Sequence, residues 1–173
     1  MKIFSPKNKV CQRGMSLLEL LLYIAILSGL MVIISDAFIS LSKGRGQAEA
    51  RSEVNSAIRF AIERIKQDVK NASAVSAPTL GTPSSSLSVT VSGVPVVYDV
   101  LGGALRRIEN GVVATTTGNS VLVEVPTFTR LENYNSLLDA TTTSMQVAMT
   151  MRYNSLSTDW SYSDSLRTTI TFR

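Results

Sequence analysis

An apolar run from Leu17 to Ile34, interrupted only by Glu19, Ser28 and Gly29, constrains this chain more than any other feature. At about 1.5 Å per residue, roughly 20 helical residues cross a 30 Å hydrocarbon core, so the run is long enough to span a bilayer. It exceeds the apolar segment of about 7–15 residues found in a secretory signal. A plain signal anchor fits the length but leaves Glu19 without a reason. An ionised carboxylate near the bilayer centre costs on the order of 2.5–3.5 kcal/mol on insertion scales, which is why such a group is expected to have a partner.

Charge locates the orientation. The formal net charge is +4. Lys2, Lys7, Lys9 and Arg13 all lie in residues 1–14, which hold no acid. The other 13 basic residues are balanced by 13 acidic ones. The excess is therefore a topology signal, because basic residues stay on the cytoplasmic side of a span, and the C-terminal part is expected outside the cytoplasm. The single cysteine, Cys11, sits in the same leader, so residues from Met15 onward hold no thiol for a disulfide or a nucleophile. There is no histidine. Ser-His-Asp and Cys-His catalysis and His- or Cys-based zinc sites are thereby excluded.

After the span, Lys43-Gly44-Arg45-Gly46 reads as a helix break or a flexible joint. In Gln47–Ser73, Val54, Ile58, Ala61, Ile65 and Val69 recur at helical spacing and mark one face, expected to pack on a sheet. Residues 73–86 are rich in Ser, Pro, Thr and Gly and predict a loop. Beyond them the period becomes two. Strands are predicted at 87–92, 94–100, 104–109, 112–116, 121–125, 145–151 and 166–172, with Asn110-Gly111 as a hairpin turn. Asn133–Ser144 predicts a loop. The fold class is α+β: a long N-terminal helix, membrane-spanning and then amphipathic, packed on a C-terminal antiparallel sheet. The segments are 1–14, 15–42, 43–73 and 74–173.

Residues Arg13-Gly14-Met15-Ser16-Leu17-Leu18-Glu19 carry a more specific signal. They resemble the processing region of type IV prepilins and type II secretion pseudopilins. That family is cut after a glycine by a membrane peptidase, is methylated on the new N-terminus, and has glutamate as the fifth mature residue. The resemblance implies cleavage between Gly14 and Met15, N-methylation of Met15, and a Glu19 carboxylate that pairs with the N-terminal amine of a neighbouring subunit. Met15 replaces the family's usual phenylalanine. The absence of proline between Pro6 and Pro78 implies a continuous helix, and with Asp36 it points to a minor subunit. Asp36 also reads as the outer end of the span. Ile62–Ala72, Leu105-Arg106-Arg107 and Thr168–Arg173 resemble, more loosely, the J-type minor pseudopilins and W-type minor pilins.

The implied partners are other pilin or pseudopilin subunits, the prepilin peptidase, the inner-membrane assembly platform and, before assembly, lipid. The implied location is the cytoplasmic membrane, single-pass, and then a pilus or pseudopilus. The alternatives are a secretion or competence pseudopilin at a filament tip, and an anchored adhesion domain that never polymerises. No enzyme, cofactor or metal is expected. Asp159 and Asp164 fall short of calcium's roughly 6–8 oxygen ligands. Arg106-Arg107 lacks interleaved aromatics and is a weak nucleic-acid footprint, so a solvated sheet face is expected there. Trp160 and Tyr162 are expected to pack their loop onto the sheet rather than stack on a ligand.

Overall fold

The structure, a computed structural model, describes residues 16–137 and 139–172. Helix α1 runs over Leu17–Lys70, 54 residues, without interruption at Gly44 or Gly46. The break or joint expected at Lys43–Gly46 is therefore helical. Glycine costs about 1 kcal/mol in a helix interior relative to alanine, a weak penalty that neighbouring helix formers override. The chain divides into two compact units, Met1–Ser42 and Lys43–Arg173.

In the first unit every described residue is exposed, including Leu21, Ile24, Ile33 and Phe38. Its serines satisfy their hydroxyls on the helix itself: Ser28 Oγ donates to the Ala25 carbonyl at 2.9 Å and Ser35 Oγ to the Met31 carbonyl at 2.8 Å. Such internal pairing is what a lipid surround demands, because hydrocarbon offers polar groups no partner.

In the second unit the predicted helical face is the buried one. Val54, Ala61, Ile65 and Val69 have no accessible surface and Ile58 retains 2 %. This face meets two antiparallel sheets rather than the one expected from the sequence. The first contains β1 (Ala72–Ala77), β3 (Leu87–Val91), β4 (Val94–Leu101), β5 (Ala104–Glu109) and β6 (Val112–Thr115), in the order β1-β3-β4-β5-β6. The second has β2 (Pro83–Ser84), β8 (Thr127–Asn135), β9 (Ala140–Tyr153) and β10 (Ser163–Thr171) in the order β10-β9-β8-β2, with β7 (Val121–Val123) also paired to β9. The Val123 amide donates to the Gly103 carbonyl at 2.7 Å and ties β7 to the β4–β5 turn of the first sheet.

Leu87, Tyr98 and Leu105 from one sheet and Phe128, Met145 and Met151 from the other complete the core. The alternation of Met145, Val147, Met149 and Met151 sets the buried face of β9. The Asn110-Gly111 turn forms as expected, with both residues at positive φ, 50° and 79°.

Two predicted loops are wrong in the same way. Within 73–86 the chain forms β1, which pairs with β3, and β2, which pairs with β8. Residues 133–144 belong largely to the β8–β9 hairpin, with Leu131↔Ser144 through Asn135↔Ala140 in register. Their side chains are polar because this part of the hairpin is exposed on both faces, so composition resembled a loop while backbone pairing continued.

Candidate functional site

Glu19 lies in the first turn of α1. Amide groups of a first turn lack intrahelical acceptors, and the helix dipole is positive there, so an acid is well placed. The side chain is exposed, and no ion pair among the described residues includes it. From Leu20 to Ser35 no further charge occurs, and Asp36 is exposed. Among the described residues the geometry is an exposed carboxylate in the first turn of an exposed, largely apolar helix. Gly14 and Met15, the expected cleavage and methylation positions, and Cys11 lie outside the described residues.

The charged group that the sequence reading missed is at the other end of α1. Asp68, in the last turn, is 5 % exposed and faces the first sheet. Tyr98 on β4 and Arg107 on β5 are direct cross-strand partners. Tyr98 Oη donates to Asp68 Oδ2 at 2.5 Å and Arg107 Nε donates to the same oxygen at 2.7 Å. Arg107 also pairs with Glu109, two residues along β5 on the same face. Burial, reinforced by the hydrogen bond to Asp68, pushes the Tyr98 phenol well above the usual tyrosine range. The hydrogen bond to Asp68 likewise raises Arg107, which stays charged at every accessible pH.

The expected solvated face is thus only half right. Arg106 and Arg107 do point to opposite faces, and Arg106 makes a two-point pair with Asp99 on the outer one. Arg107 is buried at the helix–sheet seam, because Asp68 supplies the counter-charge that makes burial tolerable.

The loop after β9 makes a second contact with the helix. A short 3₁₀ turn, Thr158–Trp160, is capped by Ser157, whose Oγ accepts from the Asp159 amide. Asp159 pairs with Lys43 at 3.2 Å, and its carbonyl accepts from Gln47 Nε2 at 3.3 Å. The Trp160 indole stands so close to Gly46 that a Cβ there would overlap the ring. Arg51 lies 5.6 Å from the centre of the Tyr162 ring, a cation–π distance. Trp160 therefore packs on α1 and not on the sheet as expected, whereas Tyr162 joins the core, its carbonyl accepting from the Tyr153 amide of β9 at 2.8 Å. Gly46 is the reason: a residue without Cβ lets the indole reach the helix backbone. Asp164 accepts from the neighbouring Ser165 amide, apart from the Asp159 contacts.

An open groove of about 330 Å³ runs between α1 and β6, lined by Phe60, Glu63, Arg64, Gln67, Arg107 and Ala114–Thr116. Comparison with protein-family models, characterised proteins and solved structures finds no match to this chain.

Proposed function

We propose that this protein is a minor subunit of a type IV pilus-like filament, processed by a prepilin peptidase between Gly14 and Met15 and assembled through the first half of α1. The observation that carries the reading is the first unit itself. It is a helix with every described side chain exposed, free of charge and largely apolar from Leu20 to Ser35, with the Glu19 carboxylate in its first turn. Such a surface is unstable in water and must be covered by lipid or by other apolar helices. Single-pass anchoring fits a helix whose most apolar 18-residue window has a mean hydropathy of 2.6. Transfer from bilayer to filament would exchange one apolar surround for another. The Glu19 carboxylate would gain a subunit's N-terminal ammonium, which offsets the desolvation that either charge would suffer alone. The Lys43–Arg173 unit would remain outside the membrane, making lateral contacts or forming a tip. This subunit would catalyse nothing, and the platform proteins would supply the mechanical work.

The test is the intact mass of the protein from its own cells, with and without prepilin peptidase. Peptidase-dependent loss of residues 1–14 with one added methyl supports the proposal. An uncleaved chain, or cleavage near Ser42, removes it and favours an anchored or secreted binding domain.

A further inference from the structure

We propose that the free edge of β6 pairs with the same edge of a second copy of this chain, joining the first sheets of two molecules into one. The inference uses the Lys43–Arg173 unit alone and does not rest on the filament reading.

β6 ends the first sheet, and only its β5 side is paired. The ladder fixes which of its residues face outward. Along an antiparallel pair, every second residue turns its amide and carbonyl to the neighbouring strand. The Thr116 amide donates to the Leu105 carbonyl at 2.8 Å, and Val112 and Ala114 share its direction. The amides and carbonyls of Val113 and Thr115 therefore point away from β5 and have no partner among the described residues. The groove between α1 and β6 leaves this edge open, and Val112 and Val113 are 69 % and 52 % exposed.

The other edges are guarded against addition of a strand. β1 slips its register with β3 at two places. β2 has two residues, one of them Pro83. β7 has three residues and commits its Val123 amide to Gly103. β8 carries Arg130 and Glu132, and β10 carries Asp164 and Arg167. β6 reads Val-Val-Ala-Thr, with no charge, proline or register shift.

A row of alternating donors and acceptors is matched by another extended backbone. Within a population of this chain, the unguarded edge that can meet β6 is β6 itself. About a two-fold axis at Ala114, Val113 of one copy faces Thr115 of the other, and four hydrogen bonds satisfy every outward group. Without charge on the strand, like meets like without repulsion. Such a contact closes on two molecules. A filament whose subunits all point one way cannot repeat it, so the pair belongs to the unassembled chain.

Across the axis Ala114 meets its own copy in a non-hydrogen-bonded pair, with Cα atoms about 4.5 Å apart, within disulfide range. Full-length protein in detergent carries Cys11→Ser, which removes the only native thiol. It also carries either Ala114→Cys or, as a collisional control, Leu101→Cys at an exposed strand end. Diamide oxidation is expected to link the Ala114→Cys chains into a dimer and the Leu101→Cys chains far less. Val113→Pro removes one outward amide without touching the β5 ladder, and should abolish most of that dimer at an unchanged denaturant midpoint. Val113→Lys keeps every backbone bond and guards the edge; it should do the same, and it decides the matter if the proline variant unfolds. Absence of the Ala114→Cys dimer, equal linkage in the two cysteine variants, or a dimer that survives Val113→Lys would overturn the pair. Linkage of Ala114→Cys to a different chain in cells would overturn it as well, by giving the edge another occupant.

Discussion

The two halves of α1 are continuous in backbone and opposite in how they hide apolar surface. From Lys43 onward the helix is amphipathic: Val54, Ile58, Ala61, Ile65 and Val69 are buried, and Arg59, Glu63 and Lys70 are exposed. Before Lys43 every described residue is exposed, and from Leu20 to Ser35 the helix carries no charge on any side. A helix with one apolar stripe finishes its folding within the chain; one that is apolar on every side needs a second phase or a second molecule. The acids at the two ends follow the same division. Glu19 sits where the helix dipole favours it, yet no ion pair among the described residues includes it. Asp68 sits at the unfavourable end and is held there by Arg107 and Tyr98. One half is covered from inside the molecule, and the other is exposed along its described length.

The largest effect should come from Asp68→Ala, which leaves the Arg107 guanidinium buried with only Glu109 as an acidic partner. A loss of about 3–5 kcal/mol in the denaturant-unfolding free energy of the second unit is expected. Replacing the two together, Asp68→Leu with Arg107→Met, should recover much of that loss, because a buried pair exchanged for apolar groups is often near neutral.

Ile65→Ala comes next. It should cost about 2–5 kcal/mol by opening a cavity under the helix. The matching change in the exposed half, Leu27→Ala, should stay within about 0.5 kcal/mol when unfolding of the same unit is followed in detergent. Equal losses would break the division between the halves. Gly46→Val should expel the indole from the helix at a cost of about 1–3 kcal/mol, read as red-shifted Trp160 emission with the core intact.

The smallest effect sharpens the picture of the seam. Tyr98→Phe removes one hydrogen bond to Asp68 and should cost about 0.5–1.5 kcal/mol near neutral pH. The folded phenol is raised above its unfolded value of about 10. Its contribution is therefore complete below that pH and is lost as pH rises towards the folded value. Denaturant midpoints measured from neutral to strongly alkaline pH should fall above about 10 in the parent and less steeply in Tyr98→Phe. Parallel declines would mean that Tyr98 does not report on the seam.

Much of this division was legible in the residues. The stripe at 54, 58, 61, 65 and 69 identified the buried helical face because burial and period coincide there. The strands at 87–91, 94–101 and 104–109 were legible because one side alternates apolar. Where both faces are wet, as in Asn133–Thr143, no alternation survives and the hairpin read as a loop. The split into two sheets depends on which strands neighbour one another, which local pattern does not encode.

The Asp68–Arg107 seam left one trace: Asp68 lies three residues after Ile65, on the apolar face, where a solvated acid does not belong. Its partner, 39 residues away on β5, looked like half of an ordinary basic doublet. The place of Trp160 on α1 is not legible, because nothing local to Gly46 announces a ring from a distant segment.

The most direct test of the exposed half as an assembly surface is incorporation of Glu19→Ala into filaments sheared from cells, with membrane insertion and leader cleavage followed in the same samples. The expected result is a chain that inserts, is cleaved, keeps a normally folded Lys43–Arg173 unit, and fails to enter the filament. Incorporation at the parental level would contradict the role given to Glu19 and leave the apolar half of α1 as an anchor.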